Sequence, residues 1–437
     1  MDLGDSGRLH AISAADSMFD LMVRLWPICR SITGDGVRQT LAILQQDLPL
    51  ELVEVPSGTP LFDWTVPQEW NIRDAWIRGP DGAPVVEFAR SNLHVVNYSR
   101  PVRTRLPLAA LRPHLFSLPA QPDAIPYRTT YYAENWGFCL PHRQLLALPE
   151  GEYEVCIDSS LTEGSLTYGE LHLPGDSADE VVITTHVCHP SLANDNLSGI
   201  AVATQLALAL TAMPRRRLSY RFLFIPGTIG SLAWLARNEG RLAAIRHGLV
   251  LTGLGDSGPL TYKRSRRGAA AIDRIAAHVL AHNGPGRVID FFPYGYDERQ
   301  FCSPGFDLPF GRLSRTPHGA YPQYHTSGDN LDFVRRESLA ESLDALLAIV
   351  EVIEHDRRCR NLKPKGEPRL GKYGLYRSTG GQAEQQHDEL ALLWVLNQSD
   401  GETSLLDIAG RAGMPFHTIR GAAEALADHG LLGDVGA

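Results

Sequence analysis

Between residues 150 and 360 two apolar patterns alternate along the chain. Short continuous apolar runs at 181–185, 220–225, 249–252 and 288–292 read as buried strands. Longer segments with helical spacing lie between and after them, at 197–213, 230–238, 269–282 and 336–354. This alternation predicts an α/β core, a mostly parallel sheet flanked by helices. Upstream, Met18, Leu21, Met22, Leu25 and Trp26 fall on one helical face, and a second helix is expected at 37–48. Residues 56–148 differ: short β-type runs rich in Trp, Tyr and Pro, punctuated by turns such as Pro80-Asp81-Gly82, predict an inserted β-rich domain. A linker-like stretch at 361–385 precedes three short helices at 389–397, 404–412 and 415–430, and their spacing suggests a winged-helix-like module. Ser404 with Asp407 makes a capping-box-like start, and Pro415 suits a first-turn position. The expected organisation is therefore a core of 1–55 and 149–365, an insert of 56–148 and a C-terminal module of 380–437.

Composition narrows the functional classes. The 437 residues carry 41 basic and 50 acidic side chains, a net charge of −9, which disfavours nucleic acid or anionic lipid as partners. The C-terminal module is more acidic still: residues 385–437 hold eight Asp or Glu against Arg411 and Arg420. A DNA-binding reading, motivated by its helix–turn–helix spacing alone, lacks the phosphate-contacting cations it needs, so a protein partner or self-association fits better. The six cysteines have no CxxC spacing, no run reaches a membrane span, and the polar N-terminus has no export pattern. A cytoplasmic protein with reduced thiols is expected.

Chemistry concentrates in one loop. The strand ending at His186 runs into Val187-Cys188-His189-Pro190 and then Asn194-Asp195-Asn196 before a helix. Ligands of open α/β sheets bind at the carboxyl ends of strands, and imidazole with carboxylate is a donor pair that zinc favours. The Asn-Asp-Asn run also reads as a helix N-cap cluster. Two further segments carry candidates: His325 in Tyr324-His325-Thr326, and Asp256 just beyond an apolar strand. His325 reads alternatively as a loop histidine bonded to Asp329, and Asp256 as a turn aspartate. No Gly-x-Ser-x-Gly elbow or nucleotide-binding loop is present, and Cys188 beside His189 makes a poor nucleophile pair because adjacent strand residues point apart.

These segments together resemble the co-catalytic zinc aminopeptidase superfamily, which includes bacterial leucyl aminopeptidases, glutamate carboxypeptidases and glutaminyl cyclases. The matching residues are His186, Asp195 in Asp195-Asn196-Leu197-Ser198-Gly199, Asp256, and His325 in Tyr324-His325-Thr326. The chain is similar nearly end to end to a bacterial aminopeptidase-like subgroup often met beside polysaccharide or natural-product genes. That likeness includes Trp26-Pro27-Ile28-Cys29-Arg30-Ser31-Ile32-Thr33-Gly34-Asp35-Gly36, Phe62-Asp63-Trp64-Thr65-Val66-Pro67 and Pro126-Tyr127-Arg128-Thr129. The resemblance implies a peptidase-like core with one or two zinc ions held by His186, Asp195 and His325. Asp195 would bridge if two ions are present, and Asp256 would be a further ligand. It also implies hydrolysis of a peptide-like or amide-containing small molecule.

Two positions depart from that pattern. Cys188 stands where the superfamily has an aspartate two residues after the first histidine, and His189 could supply a replacement contact or be a ligand itself. After the strand at 220–225 the general-base glutamate position is Gly227, which has no side chain to accept a proton. Asp297 and Glu298, in Tyr296-Asp297-Glu298-Arg299, are the nearest substitute carboxylates by motif. Without such a substitute the chain would bind one metal and run different chemistry, or be a non-catalytic ligand- or partner-binding module. Lys263 and Arg264 in a basic run, and Arg128 in the insert, are candidate substrate-binding cations, with solvated surface or simple packing as the competing reading.

Overall fold

The computed structural model describes residues 5–375 and 383–435. Two compact units divide them, one of residues up to 272 with 288–344, the other of 273–287 with the residues from 345 on.

An eight-stranded sheet forms the centre of the first unit. Its order is Glu51–Pro56, Ser165–Leu173, Ser219–Ile225, Glu180–His186, Ile245–Leu251, Phe310–Ser314, Leu260–Lys263 and Gly286–Ile289. The four middle strands run parallel; the Ser165–Leu173 and Leu260–Lys263 strands pair antiparallel beside them. Glu180–His186 and Ser219–Ile225 are buried at every residue, as continuous apolar runs covered on both faces should be. Parallel register places His186 opposite Ile225, so two neighbouring strands deliver their following loops to the same edge.

Charged groups also sit inside this sheet. Arg221, 2% exposed, donates through Nε and Nη2 to Glu180 at 2.8 and 2.7 Å and also pairs with Glu170. Breaking a buried pair by deleting one partner costs about 3–5 kcal/mol, because the other charge stays buried. Arg221→Ala is expected to lose about that much stability in denaturant titrations, and Arg221→Lys distinctly less.

The insert is a four-stranded antiparallel sheet in the order Pro84–Glu87, Glu69–Arg78, Glu152–Thr162 and Val102–Pro107. Its last strand in sequence lies beyond the expected boundary at 148, so the β-rich segment extends to Thr162. Ala75, Ile77, Trp136, Phe138, Tyr153 and Val155 pack its core.

In the second unit the winged helix starts earlier than residue 380. Arg358–Asn361 is the middle strand of a three-stranded sheet with Asp400–Ser404 and Leu432–Asp434. Helices Ala383–Gln398, Leu405–Ala412 and Phe416–Asp428 complete it. Ser404 caps the second of these, accepting from Asp407 N at 3.2 Å, while Pro415 occupies the cap of the third rather than its first turn. Part of the expected linker, residues 376–382, lies outside the described residues. All six cysteines are free thiols. Among the described residues no helix is long and apolar enough to cross a membrane.

Candidate metal centre

The strand Glu180–His186 delivers His186 to the carboxyl edge of the sheet, and the chain folds back through 193–198 in an irregular helical turn. Asp195 has non-helical φ −110° and ψ 78° there, which turns its buried carboxylate toward His186. Asn196 fixes that return, donating to Thr185 Oγ1 at 2.7 Å and to the His186 carbonyl at 3.0 Å. Asp329 accepts the Asn194 and Asp195 amides at 2.6 and 2.9 Å. The Asn-Asp-Asn run therefore stitches the loop together. None of its side chains caps the helix Gly199–Thr211, and the carboxylate of Asp329 is committed to the 194–195 backbone.

Asp195 gathers three imidazoles. Its Oδ1 lies 2.9 Å from His186 Nε2; its Oδ2 lies 3.1 Å from His325 Nε2 and 3.9 Å from His189 Nε2. Ligand atoms of His186, His189 and Asp195 all fall within 4.8 Å of one another. His325 arrives from a separate loop with φ +54°, a left-handed conformation that side chains rarely adopt and that costs about 1–3 kcal/mol. The insert braces that loop: Tyr127 N donates to the His325 carbonyl at 2.8 Å, and the Tyr127 ring packs on both His189 and His325. Tyr296 stacks on His186 and Tyr324 on His325, at centroid distances of 5.2 and 3.9 Å.

The electrostatics suit a cation. Burial pushes Asp195 upward, but His189, His186 and His325 outweigh it and hold the carboxyl well below its ordinary range. Burial, reinforced by the neighbouring imidazoles, keeps His189 well below the usual histidine range and so neutral. Its Nδ1 sits 3.3 Å from Cys188 Sγ, leaving Nε2 toward Asp195. Neutral imidazole and ionised carboxylate are the forms that ligate zinc, and the N and O donor set fits that ion. Cys188 is raised by burial and stays a thiol, contacting the Gly227 carbonyl at 3.6 Å. It neither replaces an orienting carboxylate nor offers a nucleophile.

The space at Gly227 is already used. A Cβ there would meet His186 Cβ at 3.2 Å and Asp297 Oδ1 and Oδ2 at 3.4 and 3.5 Å. The Asp297 carboxylate thus stands beside His186, where a residue-227 side chain would begin. It is 1% exposed, and although Ser231 lies next to it, neither oxygen has a hydrogen-bond partner among the described residues. Burial raises its pKa to about 6, with the His186 ring pulling the other way. Asp297, His186, His189, Tyr296, His318 and Tyr324 line one cavity of about 120 Å³.

Other expected residues are placed elsewhere. Asp256 is not brought to the imidazoles: its carboxylate is filled by Asn194 Nδ2, Gly258 N, Thr316 N and Thr316 Oγ1 at 2.6–3.1 Å. With every lone-pair direction taken it ties three loops together and has none to offer a metal. Glu298 is locked to Lys263 at 2.9 Å, both side chains wholly buried, with Arg312 at 3.6 Å. Lys263 also donates to the Tyr294 carbonyl at 3.0 Å, so it clamps the 294–298 segment from both ends and cannot meet substrate. The clamp needs Gly295, where a Cβ would stand 2.0 Å from Glu298 Oε1. Arg264 turns to the Gly268 carbonyl, and Arg128 is exposed over the Phe116 ring, so neither lines the cavity. Sequence reasoning passed over His318 and gave no site role to Tyr127, Tyr296 and Tyr324, whose rings pack on the imidazoles.

Residues 19–356 match a protein family described as a domain of unknown function, DUF4910, and residues 357–434 match a winged helix-turn-helix family. The chain belongs to the DUF4910 family. A Clostridium acetobutylicum protein, named for polysaccharide biosynthesis with an aminopeptidase-like domain, is 51% identical over 410 residues, 94% of each chain. A crystal structure from Clostridium acetobutylicum, provisionally named a peptidase, superposes with a TM-score of 0.93 at 48% identity over 98% of each chain. The zinc aminopeptidase of Bacillus subtilis shares the fold at 12% identity, with a TM-score of 0.56 over 78% of this chain and 95% of that one. The DUF4910 core thus has the zinc-aminopeptidase fold, with a winged helix appended.

Proposed function

We propose that this chain is a zinc-dependent amide hydrolase whose general base is Asp297, standing in for the side chain that Gly227 lacks. The observation that carries the reading is the Asp297 carboxylate, buried beside His186 at the Gly227 vacancy, next to Ser231 but with no hydrogen-bond partner among the described residues. His186, His189, Asp195 and His325 would hold the ion. When bound, zinc supplies Lewis acidity and brings the pKa of water toward ~7. The protein's own groups do the rest. Asp297 takes the proton of the attacking water and returns it to the leaving amine. The Tyr296 and Tyr324 rings hold His186 and His325 in place, and Lys263 holds the segment bearing Asp297.

The substrate class is a peptide-like or amide-containing small molecule. The Clostridium acetobutylicum relative's name adds an amide carried on a sugar as the second chemistry to try. The competing reading, a non-catalytic binding module, rests on Gly227, and the position of Asp297 beside it weighs against that reading. Zinc-loaded protein is expected to hydrolyse members of a panel of aminoacyl p-nitroanilides and N-acyl amino sugars, and to stop when chelator is added. No turnover across the panel would favour the binding module.

Gly227→Glu separates the two arrangements. A Cβ there already stands 3.2 Å from His186 Cβ and 3.4–3.5 Å from the Asp297 oxygens, so an added acidic side chain crowds both. The substitution is expected to lower activity, not restore an ancestral rate; a faster variant would mean that Asp297 is not the base.

A further inference from the structure

We propose that His318 is a catalytic hydrogen-bond donor of this site, its Nε2–H facing the reacting carbonyl oxygen, with Arg312 as the positioning residue that fixes its tautomer. The proposal rests on the hydrolase reading above and assigns to it the group that receives the oxyanion.

Arg312 lies on the strand Phe310–Ser314 and is fully buried. Its Nη1 is 3.2 Å from His318 Nδ1, its guanidinium carbon 5.6 Å from the Tyr296 ring centroid, and its Nε and Nη2 have no hydrogen-bond partner among the described residues. A guanidinium has five donors, no acceptor, and does not deprotonate in a protein. The Arg312–His318 contact is therefore a hydrogen bond in one sense alone: Nη1 donates and Nδ1 accepts. The imidazole proton must then sit on Nε2, and a second proton on Nδ1 would face the guanidinium. Burial first, and then Arg312, lower the His318 pKa to about 4, which agrees with a neutral ring.

The ring is held on its other sides by Tyr294, Tyr296 and Tyr324, at centroid distances of 5.1, 5.2 and 6.2 Å. Two residues upstream, Thr316 is pinned to Asp256 through its amide and hydroxyl. His318 lines the same cavity as His186, His189 and Asp297. A neutral N–H donor lining the same small cavity as a base is a group that can stabilise a charge developing on oxygen.

The step balances without a further reactant. Water oxygen bonds to the amide carbon as Asp297 takes its proton. The carbonyl π pair moves to oxygen, which accepts from His318 Nε2–H. The pair returns as the C–N bond breaks, and Asp297 gives its proton to the amine.

The test uses the full chain with ¹⁵N-labelled histidine. His318, assigned by H318Q, is expected as the neutral Nε2–H tautomer at neutral pH, and R312M is expected to release it to a mixture. A protonated or Nδ1–H ring in the wild type would overturn the proposal without reference to activity. Kinetics on zinc-loaded protein with aminoacyl p-nitroanilides supply the second arm. H318A is expected to lower kcat about 10²–10³-fold with KM little changed. H318Q, which keeps an N–H donor, should retain more rate than H318A. Unchanged kcat in H318A, with an active wild type, removes His318 and leaves the hydrolase reading standing. An inactive wild type removes the hydrolase reading and the oxyanion role with it.

Discussion

Asp297→Asn is expected to lower the rate of hydrolysis about 10²–10⁴-fold while leaving the bound metal in place, the range that general-base assistance contributes. Asparagine matches the shape of aspartate and cannot take a proton. The carboxylate of Asp297 stands outside the His186, His189 and Asp195 group, so the ion should stay. Kinetics and metal content on the same preparation check both halves. Loss of the ion in Asp297→Asn would make Asp297 a ligand, and an unchanged rate would return the general-base position to vacancy.

The second large effect falls on the carboxylate at the centre of the group. Asp195 is wholly buried and lies within 2.9–3.9 Å of all three imidazoles. It supplies the anionic charge of the donor set, and three imidazoles without it form a weaker, misaligned site. Asp195→Ala is expected to abolish zinc binding and with it all turnover. Thermal unfolding reads the binding directly. A ligand that binds the folded chain alone raises stability by about 2.7 kcal/mol at a hundred times its Kd. Added zinc should raise the wild-type midpoint and leave that of Asp195→Ala unmoved. An equal shift in both would place the ion elsewhere.

Much of this was legible in the sequence because it is local. A fully apolar strand ending in His186, followed nine residues later by Asp195 before a helix, gives strand, loop and donors in one reading. His325 came with its own motif. The failures share a physical cause: burial by partners distant in sequence. Lys263 reads as a substrate-binding or solvated cation because it opens a basic run, yet Glu298, 35 residues on, pairs with it in the interior. Arg312 interrupts the strand Phe310–Ser314 with a charge, which hid both the strand and the histidine it directs. Asp256 follows a buried strand as a ligand would, but four donors from three segments fill it, and no local pattern announces them. The insert's boundary slipped for a similar reason, since Glu152–Thr162 pairs backwards with Glu69–Arg78 and Val102–Pro107, not with the core strand that follows it.

Zinc content per chain, by elemental analysis of wild type and Asp195→Ala purified side by side without chelator, tests the central claim most directly. The account predicts one zinc per wild-type chain and none in the variant. No metal in the wild type even after zinc is added, or equal metal in the two proteins, would contradict it.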